Sequence, residues 1–162
     1  MALIAMEIKG LLMDPVSNMP VVILRDKDDG LFLPIWVGLF EANAIALEME
    51  KIETPRPMTH DLLKNVLAEL GTRVERIVIT ELKDNTFFAR IHLTRGETRF
   101  DIDSRPSDAI ALALRSRAEI FVEQEVLEKS KSLRSESGEP DTERLRKWLE
   151  EVNPEDLGKY KM

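Results

Sequence analysis

The sequence contains no cysteine, so neither disulfide bonds nor a cysteine nucleophile contribute to its structure or chemistry. This absence is typical of proteins from a reducing compartment, and we expect a cytoplasmic location. A hydrophobic stretch long enough to cross a membrane is also missing. The amino-terminal segment lacks the basic residues of a signal peptide, and Glu7 and Lys9 interrupt its apolar run. We therefore expect neither a secretion signal nor a membrane span.

A broad basic surface is absent as well. The 162 residues include 23 Lys and Arg but 30 Asp and Glu, which gives a formal net charge of −7 at pH 7. Proteins that bind nucleic acids through a continuous basic face have the opposite balance. Any contact with a polyanion would therefore depend on a local arginine cluster or on a metal ion.

What is present is the composition of one soluble globular domain, with 43% hydrophobic and 33% charged residues. Apolar runs and alternating patterns bounded by turn residues predict strands at residues 3–13, 20–25, 31–37, 74–83, 86–94, 97–103 and 118–122. Longer periodic segments predict helices at residues 39–51, 59–70 and 106–116. This order predicts an α+β fold in which mixed, mainly antiparallel sheets pack against several helices.

Turn signals predict how the strands pair. A two-residue turn at Asp29-Gly30 would place Leu24 opposite Ile35, with apolar groups on both faces and a cover on both sides of the sheet. Asp84-Asn85 joins the next two strands. A two-residue turn at Arg95-Gly96 would set Arg90 opposite Asp101, with one apolar and one charged face.

The helix at residues 106–116 is apolar almost all round, so we expect it to be central and buried, with chemistry only at its start. That start, Asp103-Ser-Arg-Pro-Ser-Asp108, resembles the start of an earlier helix, Arg56-Pro-Met-Thr-His-Asp61, where Thr59 is the expected N-cap. Unpaired N–H groups and the helix dipole favour anions at such positions. If Arg56 and Arg105 lie on the same side, they would form one anion-binding cleft.

The composition changes after residue 130. We predict one domain over residues 1–130 and a second segment over residues 131–162 that consists of a charged linker and an amphipathic helix. Residues 135–140 have the composition of a flexible linker. Residues 141–152 place four apolar side chains at helical spacing, namely Leu145, Trp148, Leu149 and Val152.

Three ordered motifs resemble the bifunctional nuclease domain family over roughly residues 3–130. These motifs are Pro34-Ile-Trp-Val-Gly38 with Glu41-Ala42, Arg56-Pro-Met-Thr-His-Asp-Leu62, and Asp103-Ser-Arg-Pro-Ser-Asp-Ala-Ile-Ala-Leu-Ala113. The resemblance implies an α+β domain, usually a homodimer, found largely in bacteria and also in plants. It also implies a hydrolase that cleaves phosphodiester bonds of both RNA and DNA.

Such a nuclease would need charge stabilisation at the phosphoryl group and an activated water. The residues that the motifs offer for catalysis are Glu41, Arg56, His60, Asp61, Asp103, Arg105, Ser107 and Asp108. Four of them carry the oxygen ligands that a divalent metal, Mg or Mn, would require: Glu41, Asp61, Asp103 and Asp108. Their spacing is not diagnostic of a metal site. Helix capping by the acids is the competing interpretation.

Two functions therefore stay open. The first is a divalent-metal-dependent nuclease acting on RNA or DNA. The second is a non-catalytic dimeric module that binds an anionic ligand or a protein partner through the same polar turns. A homodimer is expected in either case, because Trp36, Phe40 and the Trp148 helix supply more large apolar surface than one small domain hides. We expect Trp36 to be a core or dimer anchor rather than a platform for base stacking.

Overall fold

The computed structural model describes residues 2–28 and 30–136. Within them the chain forms seven strands and four helices. The strands are β1 (Leu3–Met13), β2 (Pro20–Asp26), β3 (Phe32–Trp36), β4 (Arg73–Lys83), β5 (Thr86–Arg95), β6 (Thr98–Ser104) and β7 (Glu119–Glu123). The helices are α1 (Leu39–Met49), α2 (Thr59–Glu69), α3 (Pro106–Ser116) and α4 (Gln124–Glu136).

The fold is α+β, as the sequence predicted. All seven strands belong to one mixed, mostly antiparallel sheet with the order β3-β2-β1-β7-β4-β5-β6. The strand β7 joins the two antiparallel sets, because it pairs antiparallel with β1 and parallel with β4. The parallel pair follows from the crossover through α3, which returns the chain to the middle of the sheet.

The first hairpin has a different register from the predicted one. Leu24 lies opposite Leu33 rather than Ile35. The turn is longer than two residues, since the pairing of β2 with β3 ends at Arg25 and Phe32. Within the turn, the Asp26 carboxylate accepts a hydrogen bond from the Asp28 N–H at 2.9 Å, and Gly30 has a φ of +70°. The shift is two residues, so the faces of the strands are unchanged. As expected, β2 is buried on both faces.

The turn between β5 and β6 is also displaced by one position. Its central residues are Gly96 and Glu97, with Gly96 at a φ of +60°, because this hairpin turn needs glycine at its first central position. Asp101 consequently lies opposite His92, and Arg90 lies opposite Asp103. The predicted Arg90–Asp101 pairing is therefore wrong. At Asp84-Asn85 both residues have positive φ, which agrees with the predicted tight turn.

Helix α3 is the centre of the core. It packs against α1 and α2 on one side and against β4 and β5 on the other. Its apolar residues are almost completely inaccessible, with Leu112 only 1% exposed. The prediction of a buried central helix is confirmed.

The start of α2 differs from the prediction in one residue. Met58, with extended backbone angles, is the N-cap, and Thr59 is the first helical residue. The Asp61 carboxylate accepts a hydrogen bond from the Met58 N–H at 3.0 Å, which stabilises this start in place of a threonine cap. Gly71 has a φ of +65° and follows the C-cap, as predicted.

Helix α4 was not predicted, because its sequence is mainly charged. It buries Val126 and Leu127 against the core and continues through residue 136, past the predicted domain end at residue 130. The first residues of the predicted linker are therefore helical. The rest of that linker and the helix at residues 141–152 lie outside the described residues. No helix in the described part is long and apolar enough to cross a membrane.

Candidate functional site

The first turns of three helices meet around the side chains of Arg105 and Asp108. Arg105 is the N-cap of α3 and precedes Pro106, which leaves its guanidinium outside the helix. Its Nη2 lies 2.6 Å from Glu41 Oε1, at the start of α1, and 2.8 Å from Asp108 Oδ2. Its Nε donates to the same Asp108 oxygen at 2.9 Å. The bond to Asp108, and then that to Glu41, raise the pKa of Arg105 above its usual value.

The second carboxylate oxygen of Asp108 holds a histidine from the third helix. Asp108 Oδ1 lies 2.9 Å from His60 Nε2, at the start of α2. The His60 side chain is 10% exposed, whereas that of Arg105 is 64% exposed. Glu41, His60, Arg105 and Asp108 thus form one connected group, which we call the Arg105 cluster. Its buried end is the histidine and its open end is the arginine.

Gly38 leaves room for Glu41 to join the Arg105 cluster. The Glu41 side chain folds back over the N-cap of α1, and a Cβ atom on Gly38 would overlap the Glu41 carboxylate. Glycine at this position therefore leaves the space in which Glu41 reaches Arg105.

A second ion pair joins α2 to the far end of α3. The Arg115 side chain is 3% exposed, and its Nε donates to Asp61 Oδ1 at 2.7 Å. Its Nη1 and Nη2 donate to the carbonyl oxygens of Ala111 and Ala44 at 3.0 and 2.9 Å. Burial acts to raise the pKa of Asp61, but the bonds from the Met58 N–H and from Arg115 outweigh it and leave this pKa below its usual value.

Arg115 was missed in the sequence. The available signal was its position directly after the apolar run of α3, where a charged side chain that faces the core must find a partner. Its contacts fix the crossing of α1, α2 and α3, so Arg115 positions the site rather than contacting a substrate at the Arg105 cluster.

The structure brings four of the predicted site residues together in the Arg105 cluster and places the others around it. Asp61 pairs with Arg115, and Ser107 is buried in the first turn of α3. Asp103 lies on β6 opposite Arg90 of β5. Arg56 lies beside a cleft next to Asp61 and Arg115, and forms no ion pair with another described residue.

The four predicted metal ligands are not gathered as a metal site. In the part of the chain that the structure describes, no group of three or more His, Asp or Glu side chains is placed to hold a metal ion. The oxygens of Glu41 and Asp108 face a guanidinium, and Asp61 faces another. The donor set in this arrangement therefore does not fit a divalent cation.

Trp36 does not belong to the core, contrary to one of its two predicted roles. Its side chain is 43% exposed, and its Nε1–H donates to Asp14 Oδ2 at 2.9 Å. This bond is the main cause that lowers the pKa of Asp14. Phe40, next to Glu41, is 80% exposed. The two aromatic residues thus leave apolar surface beside the start of α1.

Comparison with known families gives one match that covers most of the chain. The sequence pattern described as the bifunctional nuclease domain matches residues 22–134. This range contains every residue of the Arg105 cluster together with Arg56, Asp61 and Arg115.

Individual relatives fall into two groups. An uncharacterized protein of Mycobacterium tuberculosis is 35% identical over 157 residues, which covers 91% of this chain and 94% of the relative. Bifunctional nuclease 1 of Oryza sativa subsp. indica is 26% identical over 118 residues, covering 71% of this chain and 36% of the plant protein. Bifunctional nuclease 2 of Arabidopsis thaliana is 28% identical over 105 residues, 63% of this chain and 32% of the relative. The chain therefore spans about a third of these plant proteins.

Proposed function

This chain belongs to the bifunctional nuclease domain family, and on that premise we propose that it cleaves phosphodiester bonds of RNA or DNA at the Arg105 cluster. One observation carries the proposal. Three helix starts, distant in sequence, bring an arginine, a histidine and two carboxylates into direct contact. The plant relatives, which are named bifunctional nucleases, support the same reaction class.

Arg105 is the proposed phosphate-binding residue. Its Nε and Nη2 are held by Asp108 and Glu41, whereas Nη1 makes no hydrogen bond or ion pair within residues 2–28 and 30–136. A guanidinium fixed on one edge presents its remaining donors in a defined direction. These donors would bind a non-bridging phosphate oxygen and stabilise the charge that develops on it.

His60 is the proposed general base. In the neutral tautomer that donates Nε2–H to Asp108, the other ring nitrogen, Nδ1, has the lone pair. The attacking oxygen, from water or from the 2′-hydroxyl of RNA, gives its proton to Nδ1 and forms a bond to phosphorus. The bond from phosphorus to the leaving oxygen breaks, and that oxygen takes a proton from solvent.

The predicted dependence on Mg or Mn is a separate question. A divalent ion bound by Glu41 and Asp108 would have to displace Arg105 from both carboxylates. Cleavage that EDTA abolishes and that Mg²⁺ or Mn²⁺ restores would support the metal-dependent reaction, whereas cleavage unchanged in EDTA would support the guanidinium and histidine alone.

The deciding experiment is a cleavage assay on labelled RNA and single-stranded DNA with highly purified protein. We expect Arg105→Ala to lower the rate at least tenfold, because one charge-assisted contact to the reacting phosphate is worth about that much or more. The matched control is Arg99→Ala, which removes an exposed arginine from the neighbouring strand β6. Equal activity in wild type and Arg105→Ala, purified identically, would indicate a contaminating nuclease and overturn the proposal.

The homodimer expected for both the nuclease and the non-catalytic module has support in the exposed face of α2. Leu62, Val66 and Leu70 are 56%, 45% and 59% exposed, and they follow one another at intervals of one helical turn. The spacing is symmetric about Val66. A second copy related by a two-fold axis through Val66 would therefore place Leu62 of each protomer against Leu70 of the other. We propose that α2 forms the interface of a homodimer, whether or not the protein is catalytic.

Sedimentation equilibrium tests this interface. The wild type should show twice the 18.5 kDa chain mass, and Val66→Glu should sediment as a monomer because it sets two buried like charges together at the axis. Thr86→Glu on the distant β4–β5 hairpin should leave the dimer intact. A wild-type mass near that of one chain would overturn the proposed dimer without affecting the nuclease proposal.

A further inference from the structure

A cleft of about 330 Å³ borders the start of α2, and no residue of the Arg105 cluster lines it. Its volume is that of a small-molecule binding site. Its walls come from the last turn of α1, the connection to α2 and the first turns of α2, and the buried Arg115 of α3 also lines it. Asp61 borders the cleft and is adjacent in sequence to His60, so the two sites share the start of α2.

The charges of the cleft do not suit a phosphate group. Arg56 and Arg115 contribute two positive charges, but three carboxylates line the same space, those of Glu48, Glu53 and Asp61. Arg115 is already paired with Asp61. Two acids therefore remain for one unpaired arginine, and a ligand with N–H donors fits this balance better than an anion does.

The shape and composition of the walls suit a flat ring. Ile52, Pro55 and Pro57 provide apolar surface, and the exposed guanidinium of Arg56 provides a plane. Nucleobases of single strands stack on such planes and on apolar side chains. Glu48 is a half-buried residue whose carboxylate forms no hydrogen bond or ion pair with another described residue, so both carboxylate oxygens are available as acceptors.

We propose that this cleft binds one base of the substrate strand, next to the phosphate held by Arg105, and that it prefers guanine. Guanine is the base whose pairing edge carries two adjacent donors, N1–H and the N2 amino group, which match the two oxygens of one carboxylate. Glu48 accepts from both, and Arg56 stacks on the ring. This inference rests on the proposed nuclease function for the identity of the ligand, but base binding does not require cleavage.

Equilibrium binding of nucleotides, measured by titration calorimetry on the full chain, tests the inference. Guanosine monophosphate should bind more tightly than adenosine monophosphate, and inosine monophosphate, which lacks the N2 amino group, should bind about tenfold more weakly than the guanosine nucleotide. Arg56→Ala should weaken binding of guanosine monophosphate about tenfold through lost stacking. Glu48→Gln should abolish the preference over the inosine nucleotide.

Matched controls are Arg73→Ala and Glu81→Gln, which change exposed residues of β4, and both should bind like the wild type. Equal affinity for the guanosine and inosine nucleotides would overturn the assignment of guanine. Inorganic phosphate that binds as tightly as the guanosine nucleotide, and that Arg56→Ala also weakens, would overturn the assignment of a base.

The two proposals fail in different ways. Base-dependent binding without cleavage by the wild type would leave the cleft assignment standing and remove the nuclease. Cleavage that depends on Arg105, combined with no difference between wild type and Arg56→Ala in nucleotide binding, would remove the base site and keep the nuclease. Circular dichroism of each variant checks that the exposed substitutions leave the fold intact.

Discussion

Helices α2 and α3 begin with similar sequences and have the same length of 11 residues, yet their surroundings are opposite. In each, an arginine and a proline precede a Ser or Thr and then an Asp in the first turn. Helix α3 buries eight of its residues, whereas α2 buries only His60. The shared start therefore determines the chemistry at the helix terminus, and the remaining residues determine what the helix packs against.

The two arginines that precede these helices also differ, because one has ion-pair partners and the other has none among the described residues. Arg105 is held by Glu41 and Asp108, while Arg56 has no ion pair with another described residue and borders an open cleft. A guanidinium that is fixed by two carboxylates suits a phosphate in one defined place. One without partners suits a ligand that brings its own surface, such as a stacked base. The start of α3 thus suits phosphate binding, and the segment before α2 suits base stacking.

The largest expected effect is the loss of stability when a buried side chain of α3 is truncated, compared with an exposed one of α2. Leu112→Ala should lower the free energy of unfolding by about 3 kcal/mol, because it leaves a cavity at a site that is 1% exposed. Leu63→Ala on α2, where the side chain is 40% exposed, should cost less than about 1 kcal/mol in the monomer. Urea unfolding at several protein concentrations measures both. A cost of Leu63→Ala that grows with concentration would show that a second copy covers α2.

The next effect concerns the ion pair between Asp61 of α2 and Arg115 of α3. Asp61→Asn should lower the free energy of unfolding by about 2 kcal/mol at neutral pH, because it leaves the buried guanidinium of Arg115 without its counter-charge. Asp103→Asn, on the exposed strand β6, is the matched control and should have little effect.

The pH dependence of this effect has a definite sign. The folded-state pKa of Asp61 is lowered from 3.8, so its stabilisation is fully present above that value and is lost as the pH falls through the lowered folded pKa. The difference between wild type and Asp61→Asn should therefore be constant from pH 7 to about pH 5 and should shrink in acid. A difference that grows in acid would contradict the ion pair.

Much of this architecture could be predicted from the sequence, because strand alternation, turn residues and the apolar run of α3 are local signals. The registers of two hairpins were wrong by two residues, since each depends on which residues occupy the turn. Gly96 takes the first central position rather than the second. Helix α4 was missed because two buried residues, Val126 and Leu127, are hidden in a charged segment.

The candidate site was harder to predict. The residue types were visible at the helix starts, but the contact between His60 and Asp108 joins positions 48 residues apart and depends on how α2 crosses α3. Arg115 sets that crossing through three hydrogen bonds, and nothing local in the sequence indicates its partners. The exposure of α2 was also not predictable, because its leucines have the pattern of a buried face.

The smallest expected effect comes from a substitution that removes one of the two carboxylates held against Arg105, which brings this arginine closer to the unpaired state of Arg56. Gly38→Ala adds a Cβ atom where the Glu41 carboxylate now lies, and the flexible end of Glu41 has to move away from Arg105. The free energy of unfolding should change by no more than about 1 kcal/mol, since the lost ion pair involves an arginine that is mostly exposed. The proposed cleavage should fall about fivefold because one of the two acids that orient the guanidinium is gone. Glu41→Gln should give a similar reduction. Full activity in Gly38→Ala together with a loss in Glu41→Gln would mean that Glu41 keeps its contact, and that the space above Gly38 is not required for it.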